Sequence, residues 1–69
     1  MDHFQIIDKD GIQHIVSIGW NFLLANDHVG IFVYCHDSNI ILGLFYHQLR
    51  TFSDALRKTF GNDQLQKVN

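Results

Sequence analysis

Residues 30–46, with the sequence GIFVYCHDSNIILGLFY, constrain the fold of this chain more than any other segment. Two apolar runs flank a polar break, Asp37-Ser38-Asn39, whose residue types are typical of a turn. A two-residue turn at Ser38-Asn39 predicts an antiparallel hairpin in which Cys35 pairs with Leu42.

Both faces of this predicted hairpin are apolar. The first face contains Ile31, Val33, Cys35, Leu42, Leu44 and Tyr46. The second face contains Phe32, Tyr34, His36, Ile41, Gly43 and Phe45. An antiparallel sheet with one solvated face normally alternates apolar and polar residues. We therefore expect both faces to be covered, and in 69 residues the available covers are one helix or another subunit.

A first hairpin is predicted before this segment. Two apolar runs, 4–7 and 12–18, flank Asp8-Lys9-Asp10-Gly11, a sequence typical of a short hairpin loop. Pairing of Ile7 with Ile12 would place His14 among apolar residues on one face, together with Ile12, Val16 and Ile18.

Between the two hairpins, Gly19-Trp20-Asn21 indicates a turn or a bulge in the chain. Residues 22–25, Phe-Leu-Leu-Ala, are short enough to suit either a strand or a helix. We prefer a strand, because the turn cluster Asn26-Asp27-His28 bounds the run on its other side.

The C-terminal third predicts one amphipathic helix. Thr51 is a plausible N-cap with Asp54 three residues on, a weaker form of the capping box. Gly61 stands where a C-cap glycine is expected. An alternative start near Gln48 would add Leu49 to the apolar side of the helix. That side repeats at helical spacing through Phe52, Ala55, Leu56, Thr59 and Phe60.

The predicted architecture is α+β, an antiparallel β-meander of about four strands followed by one C-terminal α-helix. Residues 1–61 form a single small domain and residues 62–69 a C-terminal tail. The helix is too short to cover a sheet face fully, so we expect a homodimer to bury the remainder.

Charge and composition narrow the classes of partner and location. The net charge is −2, and residues 12–49 contain neither Lys nor Arg, which disfavours a nucleic-acid surface on the sheet. No apolar run approaches the roughly 20 residues that span a membrane. A single cysteine and the absence of a signal-peptide pattern at the N-terminus favour a cytoplasmic protein.

No catalytic, cofactor or metal site is predicted. Cys35 and His36 are adjacent in a strand and point to opposite faces, so they cannot form a nucleophile–base pair. The five histidines lack the close spacing of a ligand set, although His36 and His47 could approach each other in the second hairpin. With one cysteine in the chain, a cysteine-based zinc site is not expected.

Residues 15–56 resemble the first part of a LytTR-type DNA-binding domain. The likeness rests on the order strand, polar turn, strand, turn, strand, helix, with Asp37-Ser38-Asn39 at the last turn and QLRTFSDAL, residues 48–56, at the helix. The resemblance implies a DNA-binding transcriptional regulator. Independently of the resemblance, the only basic cluster in the sequence, and a possible basic face, is formed by Arg50, Arg57 and Lys58.

The leading functional hypothesis is a small non-catalytic binding or regulatory protein that acts through protein–protein contact. A phage- or mobile-element-type inhibitor of a larger enzyme is one hypothesis that fits this size and slight acidity. The aromatic residues expected at the interface, to itself or to a target protein, are Trp20, Phe32, Tyr34 and Phe45.

Overall fold

The computed structural model describes residues 2–68. Its elements are β1 (Asp2–Ile7), β2 (Gln13–Ala25), β3 (His28–Cys35), β4 (Ile40–Phe45), a 3₁₀ helix (Tyr46–Thr51), α1 (Phe52–Phe60) and β5 (Gln66–Lys67). The strands form one antiparallel sheet in the order β4-β3-β2-β1-β5. The predicted α+β class, a meander followed by a helix, is confirmed, with a short fifth strand added.

The helix α1 covers one face of the sheet. Leu56 and Phe60 are buried there, and the partly buried Phe52 packs against the same core, so the predicted apolar side of the helix is confirmed. The strands contribute Ile6, Val16, Ile18, Ile31, Val33 and Cys35 to this core. Burial of this apolar area is the main term that stabilises so small a domain.

The first hairpin has a longer loop than expected. Ile7 pairs with Gln13, so the predicted pairing of Ile7 with Ile12 is wrong. Asp8 is the reason: its Oδ1 accepts hydrogen bonds from the backbone N–H of Asp10, at 2.8 Å, and of Ile12, at 2.9 Å. These bonds hold Ile12 in the loop, where its side chain is exposed.

The second connection, between β2 and β3, is a tight turn at Asn26 and Asp27, both with positive φ. The predicted strand at residues 22–25 is confirmed as the far half of β2. The pairing of β2 with β3 shifts register twice, once between Gly19 and Phe22 and once between Leu23 and Ala25. The expected irregularity at residues 19–21 is therefore a bulge within one long strand.

The third connection is also longer than predicted. Cys35 pairs with Ile40, which leaves four residues, 36–39, in the loop. The expected two-residue turn is wrong because the side chains of His36 and Asp37 bond to β2 side chains and neither residue pairs with β4. The register differs from the expected one by two residues, so the division of this hairpin into two faces is unchanged.

The two ends of α1 differ in how well the sequence predicts them. Thr51 is the N-cap residue, but its hydroxyl donates to the carbonyl of Gln48 at 2.7 Å and makes no capping bond, so the predicted capping box is absent. The 3₁₀ helix that contains Gln48 supplies the earlier start. Gly61 ends the helix in the left-handed conformation, with φ of 78°, as expected.

The predicted C-terminal tail contains β5. Residues Gln66 and Lys67 pair with Gln5 and Phe4 of β1, and the Lys67 ammonium lies 3.0 Å from the Asp2 carboxylate. Leu65 packs against the core just before this strand. The chain after the helix therefore returns to the sheet.

We expect Gly61→Ala to destabilise the fold more than Gly11→Ala. Both glycines have φ near 80°, where a Cβ costs about 1–2 kcal/mol. A Cβ at Gly61 would also lie 2.7 Å from the Cβ of Lys9, whereas one at Gly11 meets nothing within 4 Å. Urea unfolding of the two variants measures the difference; equal losses would contradict the steric contribution at Gly61.

Candidate functional site

The sheet face away from α1, here called the outer face, carries the aromatic residues predicted for the interface on β3. Phe32 stacks on Phe22 with ring centroids 5.3 Å apart and planes 22° apart. Tyr34 meets His36 edge to face at 5.0 Å, and its hydroxyl donates to Asn39 at 3.1 Å. Both aromatic residues are half-buried, because neighbouring side chains of the same face cover them in part.

The other two predicted interface residues lie at the rim of this region. Phe45 is half-buried at the end of β4, stacked on His47 at 5.8 Å and edge-on to His28 at 5.9 Å. Trp20 is 52% exposed at the β2 bulge. The structure thus brings Phe32 and Tyr34 together on one strand, Phe45 onto the next, and leaves Trp20 apart.

Part of the outer face is filled by the chain itself. The Phe22 ring occupies the space where a Cβ on Gly19 would lie, and a Cβ on Gly30 would meet the backbone carbonyl of Leu44 and the Leu24 side chain. The covering reaches less far on β4, where Ile41 is 58% exposed and Gly43 is exposed. The most accessible apolar side chain on this face is therefore at the sheet edge.

The predicted basic group does not form one uncommitted surface. Arg57 binds the carboxylates of Asp54 and Asp63, the latter at 2.6 Å. Arg57 and Lys58 line a cleft of about 230 Å³ beside the first hairpin loop, whereas Arg50 lies in the 3₁₀ helix. Because two carboxylates bind Arg57, the predicted basic group has little net positive charge left to attract a phosphate backbone.

In a second region, polar side chains from β2, from β3 and from the two loops next to them lie close together. His14, at the start of β2, lies between two carboxylates: its Nε2 is 2.7 Å from Oδ2 of Asp8 and its Nδ1 is 2.9 Å from Oδ2 of Asp37. The Cys35 thiol donates to Oδ1 of Asp37 at 3.0 Å. We call Asp8, His14, Cys35 and Asp37 the polar cluster.

The polar cluster is close to the core. Cys35 is 1% exposed and belongs to the core cluster, and the His14 ring lies 5.4 Å from the Phe60 ring. Asp37 reaches outwards, with 49% of its side chain exposed. The cluster therefore extends from the buried thiol to solvent.

The charges within the polar cluster stabilise one another. The hydrogen bond to Asp8, and after it the one to Asp37, raises the pKa of His14 above its ordinary 6.5. The same hydrogen bond to His14 lowers the pKa of Asp8. The pKa of Asp37 is lowered most by the hydrogen bond from the Cys35 thiol and less by the one from His14. Burial raises the pKa of Cys35, as expected for a thiol on an apolar face.

His36 has a different environment from the one considered in the sequence. Its Nε2 lies 2.6 Å from the hydroxyl oxygen of the buried Ser17, and the His3 ring is 5.9 Å away. His47 stacks on Phe45 instead. The structure therefore gives His36 and His47 separate partners.

The sequence pattern places His14 on an apolar face near the core but does not reveal the polar cluster. The signal that finds it is strand register: Val16 pairs with Cys35, so two residues further along the ladder His14 comes opposite Asp37. That register follows from the two bulges of β2. Without them, counting back from the turn at residues 26–27 would place His14 opposite Asn39.

Comparison with protein-family models, curated proteins and solved structures finds no match to this chain. Within residues 2–68, no helix is both long and apolar enough to cross a membrane.

We expect the stability of the fold to depend on the charge of His14. A raised histidine pKa adds stability below pH 6.5 that is lost as the pH rises through the folded-state value. The lowered pKa values of Asp8 and Asp37 add stability above pH 3.8 that is lost on acidification. The contribution of the cluster is thus greatest between these two limits.

Urea unfolding in a chelating buffer, at pH about 5 and about 9, measures this contribution. The wild type should lose stability at the higher pH more than His14→Gln, which has no charge to lose. His47→Gln is the matched control and should follow the wild type. Parallel curves for wild type and His14→Gln would contradict the assignment.

Proposed function

We propose that this chain is a small, non-catalytic binding protein that acts through protein–protein contact. Its contact strand is the edge of β4, and its first partner is a second copy of the chain. The observation that carries the proposal is an uncharged edge strand with open backbone groups, next to the exposed side chain of Ile41.

The backbone of β4 is open on one side at Ile41 and Gly43. The N–H of Phe45 donates to the side-chain oxygen of Gln48 at 3.0 Å, away from β3. Because β4 pairs with β3 without a bulge, the N–H and C=O groups of Gly43 and Ile41 point the same way as those of Phe45. An open row of this kind is a template for another strand.

The two edges of the sheet differ in a way that favours β4 as the contact strand. The opposite edge, β5, has only two residues, and its Lys67 forms an ion pair with Asp2. Short length and charge are the usual protections of an edge. β4 has six residues, IILGLF, with neither charge nor proline.

When β4 pairs antiparallel with β4 of a second copy, one two-fold axis relates the chains and the open backbone groups of both edges bond to each other. A two-fold axis perpendicular to the sheet keeps the helices on one side and joins the two outer faces on the other. Phe32, Tyr34 and Phe45 of each copy then flank the junction. The joined face is where we place contact with a target protein, such as a larger enzyme, since aromatic and uncharged surfaces are enriched at interface centres.

Dimerisation is tested by sedimentation velocity of the wild type and Ile41→Lys over a range of protein concentrations. The variant places a like charge near the two-fold axis of the pair, so we expect dimer affinity to fall by about tenfold or more. Ile12→Lys is the matched control: Ile12 is 57% exposed against 58% for Ile41 but lies in the first hairpin loop.

A wild type that remains monomeric at its solubility limit would overturn the β4 contact. Equal weakening by Ile12→Lys and Ile41→Lys would also overturn it, since the effect would then be one of net charge.

DNA binding, implied by the LytTR resemblance, is the alternative. A titration of duplex DNA at low and high salt separates the two proposals, because phosphate contacts are strongest at low salt. Strong low-salt binding that Arg50→Gln and Lys58→Gln abolish would favour the alternative and count against ours.

A further inference from the structure

Three side chains of metal-ligand type converge where the start of β2 meets the end of β3. Oδ1 of Asp37 lies 3.1 Å from Nδ1 of His14 and 3.0 Å from Sγ of Cys35. The same sulfur lies 4.0 Å from Nδ1 of His14. One ligand atom from each residue lies within 4.8 Å of the other two. We propose that His14, Cys35 and Asp37 bind one Zn²⁺ ion.

The separations suit a tetrahedral ion. Zinc bonds of about 2.0–2.3 Å at tetrahedral angles place neighbouring nitrogen, oxygen and sulfur ligands about 3.4–3.6 Å apart. Each of the three observed separations differs from this range by about 0.6 Å or less, so small side-chain rotations bring all three atoms onto one ion. Three protein ligands leave the fourth position for water or for a donor from a bound molecule.

Asp8 supplies an independent reason to assign a metal here. Its Oδ2 lies 2.7 Å from Nε2 of His14, and its Oδ1 is held by two backbone N–H groups of the first loop. Metal-binding histidines commonly donate their second ring N–H to a carboxylate, which fixes the tautomer and orients the ring. Asp8 thus leaves Nδ1 of His14 free to face the ion.

The net charge of the site does not change when Zn²⁺ replaces two protons. Both ring nitrogens of His14 lie within 2.9 Å of a carboxylate oxygen, so the metal-free geometry corresponds to two carboxylates, an imidazolium and a thiol, which sum to −1. With Zn²⁺, two carboxylates, a thiolate and a neutral imidazole also sum to −1, since the ion replaces one proton on His14 and one on Cys35. The net charge that the surroundings have to accommodate is therefore the same with and without the metal.

The donor set selects the class of ion. A thiolate and an imidazole exclude Mg²⁺ and Ca²⁺, which take oxygen ligands, and the carboxylate is unfavourable for Cu(I). A mixed nitrogen, oxygen and sulfur set suits Zn²⁺ and its spectroscopic substitute Co²⁺. Asp37, with 49% of its side chain exposed, gives the ion a path from solvent.

The test is a titration of the purified, metal-free chain with Co²⁺, followed by displacement with Zn²⁺. We expect one Co²⁺ per chain and a sulfur-to-cobalt charge-transfer band that Zn²⁺ removes. Cys35→Ala should abolish the band, and Asp37→Asn, a substitution of similar shape at an accessible position, should weaken affinity. Asp8→Asn should lower affinity by about 10- to 100-fold while keeping the band, as expected for a positioning residue.

His28→Gln and Asp27→Asn are the matched controls, since both residues are exposed, Asp27 in the β2–β3 turn and His28 at the first position of β3. They should leave affinity unchanged. Circular dichroism of every variant shows that it is folded, and if Cys35→Ala unfolds, Asp37→Asn and Asp8→Asn decide the result. The proposal is overturned if the wild type shows no sulfur-to-cobalt band, or if Asp37→Asn and Asp8→Asn bind as tightly as the controls.

Discussion

One short helix must cover one face of a much longer sheet, and the rest of the structure depends on this packing. At 1.5 Å per residue the nine residues of α1 span about 14 Å, whereas the molecule that contains the thirteen-residue β2 extends 38 Å along its longest axis. Leu56 and Phe60 therefore bury only part of the sheet. The far half of the β2–β3 hairpin extends past the helix, which leaves Leu23 66% and Val29 40% exposed.

The limited cover explains where the accessible apolar surface lies. On the outer face, Phe22 and Leu24 fold over glycines of their own sheet and fill part of what the helix cannot reach. At the β4 edge neither the helix nor these side chains supplies a pairing partner for the backbone. A second strand is the simplest partner for such an edge, because it satisfies the N–H and C=O groups and covers the adjacent side chains at once.

The polar cluster connects two loops at the other end of the sheet. His14 joins the first loop, through Asp8, to the β3–β4 loop, through Asp37, so charge balance there stabilises two loop conformations together. The same side chains place a nitrogen, an oxygen and a sulfur around one point. The metal-free hydrogen-bond network and the proposed zinc site use the same side chains. They differ in whether protons or a metal ion lie between the nitrogen, oxygen and sulfur atoms.

The alternation of residues along the strands was enough to predict the class of fold, the two faces of the second hairpin and the apolar side of the helix. In the first hairpin the register error was one residue, so the predicted pairing placed Ile7 instead of the buried Ile6 on the face of Val16. Side-chain direction repeats every two residues in a strand, so the register error of two in the second hairpin left each residue on its correct face. The helix stop at Gly61 was equally local, since few residues other than glycine adopt positive φ without strain.

Register is what only the tertiary structure decided. Two bulges in β2 shift its pairing with β3 by two residues in total, and this shift places His14 opposite Asp37 and beside Cys35. Bulges form where packing against neighbouring strands favours an extra residue, and no local pattern at residues 19–25 gives their number. The sequence alone therefore determined the alternation along each strand, whereas long-range strand pairing determined which residues meet across strands.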